Sequence, residues 1–191
     1  MNITPNKMNK KQTEQVLNFP QIQALCLPPT NLHLPQRHDK LLETVLLMGY
    51  LGLRVSEAIN FTWQQISVED KTAFLVSGKG HKQRLVFNLL NNPYITKKSK
   101  SDPQKDKWKS ISRIAVWNYL KRKSKEMKLT WTITPHTLRR SFASILHYDL
   151  GIDSSSIQQL LGHSQFKTTE RYLKKDVRFL LTNLQRKGFM L

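Results

Sequence analysis

Apolar side chains recur at helical spacing in several stretches, and this pattern predicts a mainly helical chain. A core helix is predicted over residues 38–50, with an apolar stripe made of Leu41, Leu42, Val45 and Leu46. A shorter helix is predicted over Gln21–Cys26, because Asn18 is a favourable helix start and prolines follow soon after Cys26. Another helix, basic at its C-terminal end, is predicted to begin with an apolar set: Ile111, Ile114, Val116, Trp117 and Leu120.

A different pattern, rich in β-forming residues, occupies the middle of the chain. Thr72–Ser77 and Arg84–Asn88 are joined by the basic turn Gly78–Lys82, which predicts a β-hairpin. Beyond the hairpin, Asn91–Lys109 combines prolines and lysines with little apolar content. A long exposed loop is predicted there.

The segment that begins at Thr134 carries the densest polar chemistry. Thr134 and Pro135 are typical of an N-cap and a first helical residue, so a helix is predicted to run to about Leu150. Its apolar positions are Leu138, Phe142, Ile145, Leu146 and Tyr148. His136 and Arg139 lie one turn apart on the opposite side, near the positive end of the helix dipole. This pair has the character of half a phosphate site.

Two more polar residues follow in short order. A helix is predicted from its cap Asp153 to its stop Gly162, with His163 just beyond, and a threonine pair starts a last short helix that carries Tyr172. Taken singly, a helical histidine is more often a hydrogen-bonded structural group, and a tyrosine near a C-terminus is more often a packing residue. Together, a histidine, a basic helix start and a tyrosine suggest a nucleophile with its electrostatic support.

Arg54 is a third basic candidate, placed on a turn after Gly49 and Gly52. An arginine there is commonly a surface residue, yet its guanidinium offers a two-pronged donor for phosphate that lysine cannot reproduce. Glu57 follows three residues later. It either holds Arg54 in place or simply decorates a helix predicted to continue through Trp63.

Composition narrows the class of partner. The 191 residues give one ordinary domain, or one domain and a tail, and the formal charge of +18 predicts a polyanionic partner, either a DNA backbone or an anionic membrane. No apolar run approaches the roughly 18 to 20 residues that a membrane span needs, and the N-terminus lacks the apolar core of a signal peptide. An intracellular protein is expected. Cys26 is the single cysteine, so an intrachain disulfide and a cysteine-rich zinc site are excluded.

Five segments, in chain order, resemble the motifs of one family. They are Gly52–Glu57, Ser77–Arg84, His136–Arg139, Leu161–His163 and Thr168–Tyr172. By these motifs the chain resembles the tyrosine recombinase (phage integrase) family over most of residues 15–175. The resemblance implies a mainly α catalytic domain with a small antiparallel β-sheet at one side.

The resemblance also implies a set of catalytic residues. They are Arg54, Lys79, His136, Arg139, His163 and the nucleophile Tyr172, with Glu57 in support. Tyr172 is expected to attack a DNA phosphodiester and form a 3′-phosphotyrosine bond, while the arginines and histidines stabilise the developing charge. Family position points to Lys79, and not to Lys82, as the acid that protonates the 5′-oxygen, and His136 is the expected proton acceptor. Neither a cofactor nor a metal is expected.

The implied organisation has three parts. Residues 1–14 are a flexible basic tail, residues 15–175 the catalytic domain, and residues 176–191 a C-terminal helix or tail that folds back or docks on a neighbouring subunit. The expected partners are double-stranded DNA and further copies of the chain, as a tetramer on paired sites, with no membrane. The expected location is inside the cell, associated with DNA.

Two departures from the family pattern leave questions open. Residue 140 is arginine where the family often has a second histidine, and only 53 residues precede Arg54, too few for a separate helical DNA-binding domain. The chain is then a minimal recombinase, a fragment or a degenerate copy. The alternatives are a type IB topoisomerase, which relaxes DNA without strand exchange, a non-catalytic DNA-binding protein that kept the fold, and a membrane-surface protein. A strongly amphipathic basic helix, which the last would need, is missing ahead of the core.

Overall fold

A computed structural model describes residues 15–26, 36–63, 65–68, 71–78, 83–99 and 111–162. These residues form helices around one small sheet, which confirms the predicted fold class. The α-helices are α1 (Phe19–Cys26), α2 (Gln36–Leu51), α3 (Val55–Ile59), α4 (Pro93–Ser99), α5 (Arg113–Glu126), α6 (Pro135–Ser144) and α7 (Ser154–Leu161). The strands are β1 (Gln65–Val68), β2 (Lys71–Ser77) and β3 (Gln83–Val86).

The sheet is antiparallel, with strand order β1-β2-β3. Val68 pairs with Lys71 at one end of β2, and Ser77 pairs with Gln83 at the other. The predicted hairpin is confirmed as β2 and β3. Strand β1 was not predicted, because four residues are too few to establish an alternating pattern.

Helix α2 lies at the centre of the larger core. It packs against α1, α3, α5 and α6, and Val45, Leu47 and Met48 on it are fully buried. A second apolar cluster joins the α6–α7 region to the sheet through Ala73, Phe142, Leu146, Ile157, Leu160 and Leu161. The two cores therefore meet along α6, the helix that carries the predicted residues His136 and Arg139.

The start of α6 is as predicted. The Thr134 hydroxyl accepts the Thr137 amide at 3.0 Å, and Pro135 is the first helical residue. The helical path continues to Asp149, but its last part, Ile145–Asp149, is a π-helical turn. Tyr148 was predicted to be buried and is 79% exposed. That prediction is wrong because the wider turn adds a residue per turn and rotates Tyr148 out of the apolar stripe.

The prediction of an unbroken loop over Asn91–Lys109 is also wrong, because α4 occupies its first part. Asn92 Oδ1 caps the helix by accepting the Tyr94 amide at 3.0 Å and the Ile95 amide at 3.2 Å. Ile95 is fully buried. One cap and one apolar anchor are enough for a two-turn helix, and neither produces a periodic signal.

Two more expectations about helices are corrected. Helix α3 ends at Ile59 and does not reach Trp63, which is instead a buried residue of the following segment. In α5, Ile114 is 71% exposed and Trp117 is exposed as well. The helix starts after Ser112, whose hydroxyl accepts the Ala115 amide. In this phase Val116 and Leu120 of the predicted apolar set are buried, together with Tyr119, which was not predicted.

Several predictions fall outside the described residues. They concern the tail over residues 1–14, the turn residues Lys79–Lys82, His163, Tyr172 and everything after Tyr172. Among the helices that the structure describes, none combines the length and apolar character needed to span a membrane.

Candidate active site

A glycine places the first predicted arginine. Helix α2 ends at Leu51, and Gly52 follows with φ of 63°. A Cβ atom at this position would lie 2.9 Å from Leu161 Cδ2 and closer still to the Phe142 ring. Only glycine permits both this backbone conformation and this close approach. The turn brings the chain to Arg54 directly against the end of α7.

Arg54 is held from two sides. Its Nη1 donates to Glu57 Oε1 at 2.8 Å, and its Nη2 donates to the Gly162 carbonyl at 3.2 Å. Glu57 Oε2 also accepts the Arg54 backbone amide at 2.7 Å. The Arg54 side chain nevertheless remains 38% exposed. It is anchored in position and open to solvent at the same time.

Arg84 is a site residue that the sequence analysis missed. Its Nη1 and Nη2 donate to the two oxygens of Glu57, each at 2.8 Å, and its Nε donates to the Leu160 carbonyl at 2.8 Å. The Arg84 and Glu57 side chains are only 9% and 3% exposed. A signal was present, because Arg84 shares the inward face of β3 with Val86. An arginine at an inward strand position needs a buried partner.

The C-terminal end of α7 collects three arginines. The carbonyls of Leu160, Leu161 and Gly162 accept hydrogen bonds from Arg84, Arg139 and Arg54, in that order. The last carbonyls of a helix lack intrahelical partners and carry the negative end of its dipole, so they favour cations. The three arginines come from β3, from α6 and from the turn before α3. The end of α7 therefore acts as a template that assembles the cationic site.

Arg139 joins two segments of the site. Its Nη1 donates to the Gly52 carbonyl at 2.7 Å while its Nη2 donates to the Leu161 carbonyl. The residue is buried, although the sequence pattern places it on the side of α6 opposite Leu138, Phe142 and Ile145. The two carbonyls supply the polar partners that allow the guanidinium to be enclosed.

Among the described residues the charges of the site do not balance, since Arg54, Arg84 and Arg139 surround one carboxylate, that of Glu57. Burial disfavours the ionised Glu57, but hydrogen bonds and charge from Arg84, with hydrogen bonds from Arg54, outweigh it and lower the pKa of Glu57 to about 2. Burial, and then repulsion from Arg54 and Arg84, lower the pKa of Arg139 to about 10. The excess of positive charge favours an anionic ligand.

The other predicted residues are less closely tied to this cluster. His136 is exposed at the second residue of α6, one turn before Arg139. Arg140, where the family often has a histidine, donates to the Gln15 carbonyl at 3.1 Å. Lys79, His163 and Tyr172 lie outside the described residues. The described ranges contain no group of three His, Cys, Asp or Glu side chains placed to hold a metal ion.

Comparison with known sequences identifies the family of the chain. The sequence model of the phage integrase family matches residues 6–178. The chain belongs to the phage integrase family. This phage integrase family member is 31% identical to tyrosine recombinase XerD of Staphylococcus saprophyticus over 85% of the chain and 58% of the relative. It is 32% identical to tyrosine recombinase XerA of Thermococcus kodakarensis over 92% of the chain and 60% of the relative.

The fold is shared with solved recombinase structures. A complex of the XerH site-specific recombinase with its palindromic difH substrate, described as post-cleavage, matches with a TM-score of 0.60 and 17% identity, covering 95% of this chain and 53% of that one. A structure of XerA recombinase matches with a TM-score of 0.53 and 24% identity, covering 87% and 64%. The chain thus spans a little more than half the length of the curated relatives that it matches.

Proposed function

We propose that this chain is the catalytic domain of a site-specific DNA recombinase that cleaves and rejoins double-stranded DNA through a 3′-phosphotyrosine intermediate. The observation that carries the proposal is the state of Arg54. Two of its side-chain nitrogens are fixed by Glu57 and Gly162, while the guanidinium stays partly exposed beside the buried charges of Arg84 and Arg139. A guanidinium has five N–H donors in all, so the remaining ones are available to a phosphate.

The proposed reaction follows from this arrangement and the family motifs. The Tyr172 oxygen forms a bond to phosphorus, the bond to the 5′-oxygen breaks, and Lys79 supplies the proton that this oxygen takes up. His136 accepts the tyrosine proton, which otherwise stays bound at neutral pH because the reference pKa is about 10. Arg54, Arg139 and His163 stabilise the charge on the phosphate oxygens. Attack by another 5′-hydroxyl then releases Tyr172 and reseals the strand.

Charge and kinship support DNA as the substrate and recombination as the outcome. The chain has 31 lysines and arginines against 13 acidic residues, and such an excess supports backbone contacts with a polyanion. Its curated relatives are named tyrosine recombinases, which favours strand exchange over relaxation by a topoisomerase. Strand exchange requires two sites, so we also propose a homotetramer on paired DNA, acting in the compartment that holds the DNA.

The decisive experiment identifies the covalent attachment. The protein is incubated with a pool of nicked suicide duplexes that have a randomised core, and the peptide linked to DNA is mapped by mass spectrometry. We expect attachment at Tyr172, loss of attachment in Tyr172→Phe, and nearly unchanged DNA affinity in that variant. Replacing one hydroxyl leaves the basic surface intact.

Tyr148→Phe is the matched control, because Tyr148 is exposed and lies in the π-helical turn after α6. It should attach to DNA at the parental rate. A covalent adduct that persists in Tyr172→Phe, or that maps to another residue, would overturn the proposed nucleophile. Parental protein that binds the duplex pool but never becomes attached would favour a non-catalytic DNA-binding role.

A further inference from the structure

Arg54 has two anchors, and both of them are in turn held by Arg84. The first anchor is the Glu57 carboxylate, to which Arg84 donates through both Nη atoms at 2.8 Å. The second is the end of α7, where Arg84 Nε donates to the Leu160 carbonyl at 2.8 Å, two residues before the Gly162 carbonyl that Arg54 contacts. One side chain thus contacts both of the elements that anchor Arg54 in the described structure.

The aliphatic part of the Arg84 side chain also packs against the end of α7, at Gly162. A Cβ atom at Gly162 would lie 2.8 Å from Arg84 Cδ, and Gly162 has φ of 63°. Glycine therefore lets the end of α7 close directly onto the arginine stem. The carbonyl of this glycine is the second anchor of Arg54.

Arg84 itself is not placed to touch a substrate. All three of its guanidinium nitrogens have protein acceptors, and its side chain is 9% exposed. Arg54, in contrast, is 38% exposed and has donors to spare. This division indicates that Arg84 acts through Arg54 and not on the phosphate.

We propose that Arg84 is a positioning residue, which aims the Arg54 guanidinium by holding Glu57 and the C-terminal end of α7 in one arrangement. The proposal rests on the proposed DNA cleavage for its effect on rate, but the placement of Arg54 is a property of the protein alone. A flexible arginine stabilises the transition state less well, because part of the interaction energy is spent on ordering its side chain at each turnover. A preorganised arginine avoids this cost.

Three variants test the effect on rate. Arg84→Gln removes the cation from a buried carboxylate, and Arg84→Lys keeps a charge but cannot bond both Glu57 oxygens and the Leu160 carbonyl together. Lys40→Gln is the matched control, because Lys40 is the cation beside the other buried carboxylate, Glu43. Loss of an outer partner of a metal ligand typically costs about 10- to 100-fold, and we take the same range for an outer partner of a catalytic arginine. We expect single-turnover attachment to fall by about that range in Arg84→Gln and less in Arg84→Lys, with parental DNA affinity in both.

Coupling to Arg54 separates positioning from general loss of structure. In an Arg54→Lys background, Arg84→Gln should slow attachment little further, since its target is already gone. Lys40→Gln should leave attachment per folded molecule unchanged in either background. If the Arg84 and Arg54 effects multiply independently, Arg84 does not act through Arg54 and the proposal fails.

A second measurement does not depend on cleavage. Nuclear magnetic resonance of ¹⁵N-labelled arginine follows rotation and proton exchange of the Arg54 guanidinium, whose signal is assigned by its absence in Arg54→Lys. We expect restricted motion in the parental protein and in Lys40→Gln, and free motion in Arg84→Gln. Restricted motion in Arg84→Gln would overturn the positioning role, even in a protein that forms no DNA adduct. Absence of the adduct alone would count only against the proposed function.

Discussion

Two buried carboxylates have opposite surroundings: Glu43 lies in the middle of α2, and Glu57 lies in the first turn of α3. Glu43 accepts hydrogen bonds from Lys40 at 2.9 Å, from Tyr94 at 3.1 Å and from Trp63 at 3.2 Å. Glu57 accepts from two arginines, while a third guanidinium raises the charge of the group further. Both carboxylates are almost fully enclosed.

The two clusters differ in their net charge and in whether a donor remains exposed to solvent. Around Glu43, in the part of the chain that the structure describes, one cation meets one anion. The aromatic donors tie α2 to α4 and to the segment before the sheet, so the cluster is a scaffold element. Around Glu57 the positive charge of the residues that the structure describes exceeds the negative, and Arg54 is 38% exposed. A buried carboxylate therefore does not mark a site by itself. An unbalanced charge with an exposed, anchored donor indicates a candidate site.

The largest expected effect comes from neutralising each carboxylate in turn. Glu57→Gln leaves Arg84 buried without its anion, and breaking a buried pair in this way typically costs about 3 to 5 kcal/mol. Glu43→Gln removes the partner of Lys40 and should also destabilise the fold. Of these two variants, only Glu57→Gln should abolish attachment to DNA per folded molecule, because Glu57 holds Arg54 and Glu43 does not contact it.

The measurement pairs urea unfolding with single-turnover attachment at a temperature where both variants are folded. Far-ultraviolet circular dichroism gives the folded fraction of each variant. Equal loss of attachment in Glu43→Gln and Glu57→Gln would mean that the two clusters contribute in the same way, through stability alone. Normal attachment by Glu57→Gln would remove Glu57 from the site.

The next effect separates the two predicted arginines. Arg54→Lys changes a partly exposed side chain, so the fold should hold while attachment falls by about 10²- to 10³-fold, the usual cost of losing a donor to developing charge. Arg139→Lys changes a buried side chain that bonds the Gly52 and Leu161 carbonyls. A lysine cannot bond both carbonyls in that geometry, and each unsatisfied buried group costs about 1 to 3 kcal/mol.

Thermal melting and attachment, measured on the same preparations, distinguish these outcomes. Arg54→Lys should melt with the parental protein, and Arg139→Lys should melt lower. A parental rate of attachment in Arg54→Lys would show that this arginine has no role in the reaction. An unchanged melting temperature in Arg139→Lys would contradict its place as a bridge between segments.

Local rules predicted those parts of the fold that depend on local chemistry. The cap at Thr134, the stop at Gly162 and the apolar stripe of α2 are short-range features, and all are present. Strand β1 and helix α4 were missed because each is too short to show a period. Tyr148 and Ile114 were misplaced because a π-helical turn and a helix phase depend on packing between distant segments.

The sequence identified two arginines of the candidate site but not how the site residues are arranged in space. Arg54 and Arg139 were identified from the motifs, but the burial of Arg139 depends on carbonyls far away in sequence, at Gly52 and Leu161. Arg84 was missed because its partner Glu57 is 27 residues away. The inward position of Arg84 on β3 indicates that a buried partner exists, but no local pattern identifies Glu57 as that partner.

The last prediction uses acid to test whether Glu57 is held as a carboxylate. Its pKa falls from an ordinary value of 4.5 to about 2 in the folded protein. A group with a depressed pKa stabilises the fold above its unfolded pKa, and this contribution is lost as the pH falls through the folded pKa. A shift of this size corresponds to about 3 kcal/mol at roughly 1.4 kcal/mol per pKa unit. The parental advantage over Glu57→Gln should therefore shrink by about 3 kcal/mol between about pH 6 and about pH 2.

The Glu57→Gln variant carries every other titrating group of the parent. One of them is Asp153, whose pKa is also lowered, because the effect of its partial burial is outweighed by hydrogen bonds from Ser156. The contributions of these groups cancel in the difference in free energy of unfolding between the parent and the variant. Urea unfolding at a series of pH values, followed by tryptophan fluorescence, measures that difference. The loss should lie almost wholly on the acid side of pH 4.5, because Glu57 is ionised in both states above it. A difference that stays constant down to the lowest pH would show that Arg84 and Arg54 do not hold an ionised Glu57, and the contrast with Glu43 would then lose its electrostatic basis.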